Sequence, residues 1–250
     1  MIGSAHAQTP VPVASPLLFA AGSLRYAMDD MIRAYRMEGG ATFQARYGPS
    51  EKLKQEIEAG AKVDVFASAS IDHTDALAKK KLLGPSQVFT HNDLCVVAKP
   101  GLNLQPDNLL DILSKQSVRL ATSTPISDPM GDYTWQFFRN ADRARFGLYQ
   151  EFDGKALQLS GAAIPTPGEQ LPYVSAFEDD KADAYIMYCT NAVATWQALP
   201  QLAVIRIPAE YNVVGNYGIS ASNDSVEGRK FVAFVLSAKG QQILKKYGFN

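Results

Sequence analysis

The chain has 250 residues, 46% of them hydrophobic and 20% charged, with 24 Lys and Arg set against 25 Asp and Glu. That is enough apolar material for one large or two medium cores, which excludes a disordered or fibrous chain. No apolar run approaches the roughly 18 residues a membrane helix needs, and no basic stripe interleaves with aromatics as a nucleic-acid surface would. Nucleic acid is therefore not an expected partner, and any bound anion must be held mainly by local dipoles.

Ser4-Ala-His-Ala-Gln8 ends in the small-residue pattern that precedes a secretory cleavage point, at Ala5-His6-Ala7. Residues 1–16 are set aside from the fold as a signal remnant or, alternatively, an ordinary flexible terminus; the first reading makes the mature protein an exported one. Cys95 and Cys189 suit an oxidising compartment without requiring it. A single disulfide and two buried thiols are both open. There is no CxxC or HExxH, so neither thiol-redox nor zinc chemistry is expected.

The first element is Leu17-Leu-Phe-Ala-Ala-Gly-Ser-Leu24, an apolar strand that stops at two small residues and a serine. Beyond it Met28, Met31, Ile32 and Tyr35 fall at helical spacing, so Ser23 stands where a buried strand hands over to a helix. The first N–H groups of a helix lack intrahelical partners, and the peptide dipoles favour negative charge there. An N-cap role for Ser23 is the plain alternative.

Residues 41–47 alternate like a strand, Gly48-Pro49 turns the chain, and Ser50 opens an amphipathic helix closed by Gly60. Residues 63–67 read as a buried strand and 71–83 as a helix. This βαβαβα order implies a parallel sheet. An extended run at 88–98, between Pro85 and Pro100, suits a strand crossing between two lobes.

A second α/β unit follows, with a helix at 106–113, a strand at 118–122, and a Pro-rich loop that delivers Asp128-Pro-Met-Gly131 to a third helix N-terminus. Residues 141–159 read as helical. A loop at 163–168 leads to a helix from Glu169 to Lys181, whose start at Glu169-Gln170 is a fourth such terminus. Residues 184–188 form a buried strand ending in Tyr188. Strands at 202–207 and 217–221 lead back to the first lobe, closed by one helix from Val226 to Tyr247. There is no internal repeat. The expected division is lobe 1 at 17–90 and 205–250, and lobe 2 at 91–204.

In open α/β sheets ligands bind beyond the carboxyl ends of the strands, and two such sheets facing across a hinge close on a ligand. Charge-assisted bonds of roughly 1.5–3 kcal/mol each let hydroxyls and N–H groups hold a small dianion without a buried Lys or Arg.

Phe19-Ala-Ala-Gly-Ser-Leu24, Ser50 with Leu53 to Gly60, Val63-Asp-Val-Phe-Ala-Ser68 and the ending Ser237-Ala-Lys-Gly-Gln-Gln-Ile-Leu-Lys-Lys-Tyr-Gly-Phe249 resemble the periplasmic molybdate-binding proteins of ABC importers. The resemblance runs from Leu17 to the end. It implies an α/β fold of the type II periplasmic binding protein kind, with two doubly wound lobes, a two-stranded hinge and a ligand in the cleft. It implies an oxyanion, molybdate or tungstate, held by Ser23, Ser50, the amides of Met130 and Gln170, and Tyr188. It further implies a membrane permease as partner, no cofactor and no catalysis in a monomeric chain.

Asp128, before Met130, and Glu169 are also similar to the pair of carboxylates that complete six-fold metal coordination in tungstate/molybdate-binding relatives. Their alternatives are a helix N-cap for Asp128 and a first-turn acid for Glu169. Tyr185, an odd number of residues from Tyr188, belongs on the opposite face of its strand, in the core. Tyr133 belongs to helix packing, with a cleft-lining role as the alternative. Lys245 and Lys246 read as a solvated helix end, and His73 is assigned no role. Phosphate, sulfate or ferric iron in the same fold is the competing ligand set; iron favours paired tyrosines, and phosphate a carboxylate such as Asp128. An enzyme on a two-lobed scaffold is the third class, with no nucleophile and base in a recognisable motif to support it.

Overall fold

A computed structural model describes residues 15–164 and 171–250. The first unit is built as the alternation predicts. Strand β1 (Leu17–Ala21) leads through a 3-10 turn at Gly22–Leu24 into α1 (Arg25–Met37), followed by β2 (Gln44–Gly48), α2 (Ser50–Glu58), β3 (Val65–Ser68) and α3 (Ile71–Lys79). β1 lies between β2 and β3, parallel to both. It is buried on both faces: Leu18 and Ala20 belong to the main core with Met28 and Met31 of α1, while Phe19 packs with Leu53, Ile57 and Phe66. A central parallel strand with no wet face explains the unbroken apolar run.

Strand β4 (Gln87–Ala98) joins two groups of strands. It is followed by α4 (Leu109–Ser114), β5 (Leu120–Ser123), α5 (Pro129–Ala144), α6 (Leu148–Lys155), β6 (Leu157–Ser160), α7 (Pro172–Glu178), β7 (Ala184–Tyr188), α8 (Cys189–Ala198), β8 (Ala203–Arg206), β9 (Val214–Ala221), α9 (Val226–Leu236) and α10 (Ala238–Lys246). From Gln87 to Asp93, β4 pairs antiparallel with β9, which in turn pairs with β3. From Leu94 to Ala98 it changes partners and lies between β7 and β8. The strand order β2-β1-β3-β9-β4-β7-β5-β6 therefore runs through one shared strand. Cys95 of β4 and Cys189 of α8 form a disulfide, which resolves the alternative left open by the sequence.

Several expected elements differ. Residues 141–159 are not one helix: α5 stops at Ala144, Gly147 adopts φ +97°, α6 follows, and Leu157–Ser160 is a short strand parallel to β5. The expected helix from Glu169 to Lys181 is α7, capped at Leu171 and stopped before Asp180, which takes a left-handed φ of +54°; residues 169 and 170 lie outside those described. The closing helix is two helices, because the Ser237 hydroxyl accepts from Gly240 N and starts a new one. Strand β8 pairs over its whole length with the distal half of β4. Helix α8 had no counterpart in the reading of the sequence.

Candidate functional site

The carboxyl ends of β1, β2, β3 and β7 all open on one cavity of about 680 Å³, which α5 and α7 border from the second group of strands. Of the residues proposed from the sequence, Ser23, Met130, Tyr188 and Asp128 line it. Ser50 is fully buried just behind Gly48, Pro49 and Ala69, which do line it. Gln170 and Glu169 lie outside the described residues.

Neither serine caps a helix with its side chain. Ser23 sits inside the 3-10 turn before α1, and its Oγ is 2.8 Å from the Tyr217 hydroxyl. Tyr217 Oη also accepts from Asn92 Nδ2 at 3.2 Å, and the same amide donates to Thr190 Oγ1 at 2.8 Å. Either hydroxyl can donate in this pair; with Tyr217 as the donor, the Ser23 hydroxyl proton is free for a ligand. Ser50, the first residue of α2, accepts from Ala69 N at 3.0 Å. A backbone N–H can only donate, so the Ser50 proton is likewise uncommitted by that bond.

Tyr188 ends β7 and is only 2% exposed. Its hydroxyl makes no hydrogen bond of good geometry among the described residues; the group it faces is the Tyr217 hydroxyl, whose ring lies 5.6 Å away, centroid to centroid. Burial above all holds this phenol neutral, well above the ordinary tyrosine range. Its backbone N–H donates to Met130 Sδ at 3.3 Å, so the side chain of Met130 packs beneath the tyrosine while its peptide opens α5. Tyr188 also occupies the N-cap position of α8, and Thr190 and Asn191 in the first turn of that helix line the cavity. A further helix N-terminus thus faces the site from a segment whose only sequence sign was Cys-Thr-Asn after a strand.

Asp128 stands at the N-cap position of α5, yet its carboxylate makes no capping hydrogen bond. It accepts instead from the Ser123 hydroxyl, Oγ to Oδ2 at 2.5 Å. Burial pushes its pKa up to about 6; the Ser123 bond opposes the shift, Asp132 adds to it, and the nearby Met130 N–H works against it. Gly161 permits this arrangement: at φ +80° a side chain would be strained, and a Cβ would come within 2.1 Å of Ser123 Oγ.

Three residues that sequence alone assigned to packing or surface also come to the site or its border. Tyr133 Oη donates to Ala69 O at 3.2 Å, bridging α5 to the end of β3. Lys245 and Lys246 line the outer cavity. His73, given no role from the sequence, is held between Glu51 Oε2 (Nε2, 3.0 Å) and Ser68 Oγ (Nδ1, 3.1 Å) and braces the start of α2. Tyr185 is in the core, as its strand parity requires, with its hydroxyl donating to Thr122 O at 3.2 Å. Among the described residues no cluster of His, Cys, Asp and Glu is arranged to hold a metal ion.

A cleft at strand carboxyl ends, between two groups of strands sharing β4, is the arrangement of a two-lobed solute receptor. The sequence matches the bacterial extracellular solute-binding protein family over residues 16–250. The chain belongs to that family. An uncharacterized protein of Pasteurella multocida is 33% identical to this solute-binding protein over 238 residues, covering 93% of this chain and 97% of that one. The molybdate-binding protein ModA of Escherichia coli is 25% identical over 241 residues, covering 93% and 88%. The periplasmic molybdate-binding protein of Azotobacter vinelandii superposes with a TM-score of 0.75 at 18% identity, covering 94% and 99%. The fold of this solute-binding protein is thus that of the type II periplasmic binding proteins, with two α/β lobes and the cleft between them.

Proposed function

We propose that this solute-binding protein captures a tetrahedral oxyanion, molybdate or tungstate, outside the cytoplasmic membrane and presents it to the permease of an ABC importer. The observation that carries the reading is the Tyr188 hydroxyl, buried and unpartnered beside a cavity onto which Ser23 and the first turns of α5 and α8 also open. Leaving a buried hydroxyl unpaired costs roughly 1–3 kcal/mol, and a bound oxygen would remove that cost. The molybdate-binding relatives support the choice of ion.

In this reading Ser23, Ser50 and Tyr188 donate hydroxyl protons and Met130 and Gln170 donate backbone N–H groups. The lobes are residues 17–90 with the chain beyond Arg206, and 91–206, moving about β4 and the return into β9. Asp128 and Glu169 enter only if the metal expands its coordination. Ligand-stripped protein titrated calorimetrically with molybdate, tungstate, sulfate and phosphate tests it. Submicromolar binding of the first two is expected, and heat from none of the four would overturn the reading. Ser23→Ala combined with Ser50→Ala should weaken molybdate by roughly 2–4 kcal/mol; unchanged affinity would place the ion elsewhere.

A further inference from the structure

Helix α5 reaches across the cleft through Tyr133. Its hydroxyl donates to Ala69 O at 3.2 Å, so a side chain from the second group of strands ends on the turn that follows β3 in the first. Tyr133 is not among the residues lining the cavity. It adjoins one of them, with its ring 6.2 Å from that of Tyr188 and turned 70° to it in an edge-to-face contact.

The acceptor is held from both sides. Ala69 N donates to Ser50 Oγ at 3.0 Å, Ser70 N donates to Ser68 Oγ at 3.0 Å, and Ser70 Oγ accepts from Asp72 N at 3.3 Å at the start of α3. One residue thus gives its N–H to a serine of the oxyanion cradle and accepts from a phenol of the opposite group. The donor is held as well. A Cβ on Gly215 would come within 2.8 Å of Tyr133 Cε2, so the ring occupies a notch in β9 that the glycine leaves open. Further along α5, Asn140 Nδ2 donates to Tyr211 O at 3.1 Å, fixing the helix to the chain that enters β9. Burial pushes the Tyr133 phenol up from its ordinary range, and the Ser70 side chain and Asn216 backbone oppose the shift. The group is therefore a neutral donor near neutral pH.

We propose that Tyr133 is a positioning residue of the binding site: it latches the two groups of strands together at Ala69 when the cleft closes, and so sets how long the anion is held without touching it. The proposal rests on the oxyanion reading for its ligand. In an open cleft the Ala69 carbonyl and the phenol are solvated separately; closing joins them at the point where Ser50 and Tyr188 must meet one ion. A latch made on closing slows release and leaves the encounter with the open cleft unaltered.

Stopped-flow kinetics and calorimetry on ligand-stripped protein with molybdate test it. Tyr133→Phe keeps the ring against Tyr188 and Gly215 and removes the donor; release should quicken about five-fold with the association rate unchanged. Gly215→Ala, which drives the ring from its notch, should quicken release to a similar extent, and the double variant should release no faster than Tyr133→Phe alone. A merely structural role would lower the melting temperature without that split between the two rates. Unchanged release in Tyr133→Phe, a loss carried by association instead, or full additivity in the double variant overturns the latch and leaves the oxyanion reading standing. If the unaltered protein binds neither molybdate nor tungstate, the oxyanion reading falls and small-angle scattering decides the latch: a larger radius of gyration in Tyr133→Phe than in the unaltered protein retains it, and equal radii overturn it.

Discussion

The Ser23 and Tyr217 hydroxyls lie 2.8 Å apart, which ties the turn after β1 to the strand that returns from the second group of strands. Tyr217 is fully buried, and Asn92 orients its oxygen from β4. Both Asn92 and Tyr217 lie on the strands that connect the two groups. The serine is therefore aimed by the connecting strands themselves.

Tyr217→Phe removes the partner of Ser23 while keeping the ring contacts with Phe89, Tyr188 and Phe249. Oxyanion affinity should fall by about 1 kcal/mol, several-fold in Kd, because the serine must then be ordered at the moment of binding. Titration of the variant with molybdate reads this directly. An affinity equal to that of the unaltered protein would mean that Ser23 needs no positioning.

Tyr188→Phe should move stability and affinity in opposite directions. Without ligand the buried hydroxyl has no hydrogen bond among the described residues, so removing it takes away a desolvation cost; stability should rise by up to about 1 kcal/mol. With ligand the same change deletes a donor, and affinity should drop by roughly 1–3 kcal/mol. Thermal melts with and without molybdate measure both terms on one sample. A variant less stable without ligand and unaltered in affinity would make Tyr188 a packing residue.

The order of strands and helices was legible because each periodicity is local and strong. Leu17–Ala21 is apolar on both faces as a central parallel strand must be, and the buried face of α1 repeats at Met28, Met31, Ile32 and Tyr35. The sequence also pointed to Ser23, Met130 and Tyr188, which line one cavity although they come from distant parts of the chain. What it did not show depends on long-range meetings. Tyr217 and Asn92 join Ser23 across sequence separations of 194 and 125 residues in successive hydrogen bonds, and no local pattern marks either. The short strand β6 was missed because four residues at an exposed sheet edge carry too little alternation to outweigh the helical segments around them. Helix α8 was missed for a related reason: it is buried along much of its length, so it lacks a clear polar face.

The disulfide between Cys95 and Cys189 closes a loop across a separation of 94 residues and fixes β4 to the residue that follows Tyr188. Replacing both cysteines by Ala should destabilise the protein by roughly 2–5 kcal/mol, chiefly by freeing the unfolded chain. It should also loosen the start of α8, so oxyanion affinity should fall further than stability alone predicts when titrated well below the melting temperature. Denaturant unfolding of the oxidised protein and the double variant gives the first quantity. Coincident unfolding curves would show that the crosslink contributes nothing the surrounding core does not already supply.

Asp128 predicts a dependence on pH whose sign follows from its raised pKa, about 6 in the fold against 3.8 ordinarily, with burial as the main cause. Below about pH 3.8 both folded and unfolded chains hold the proton, and the residue contributes no slope. Between there and pH 6 the unfolded chain has released its proton while the folded one keeps it, so stability falls as pH rises. Above pH 6 both are charged and the loss levels off. Asp128→Asn cannot ionise, and its amide oxygen can still accept from Ser123. Its stability relative to the unaltered protein should therefore climb across this window and reach a plateau near neutrality. Urea unfolding of both proteins at several pH values between 4 and 7 measures the difference. Molybdate affinity should weaken as pH rises through about 6, where the folded carboxylate gains charge beside the dianion, and show no such slope in Asp128→Asn. A stability difference that does not change with pH would mean that solvent reaches the carboxylate and that its pKa is ordinary; an affinity slope shared by both proteins would assign the titration to another group.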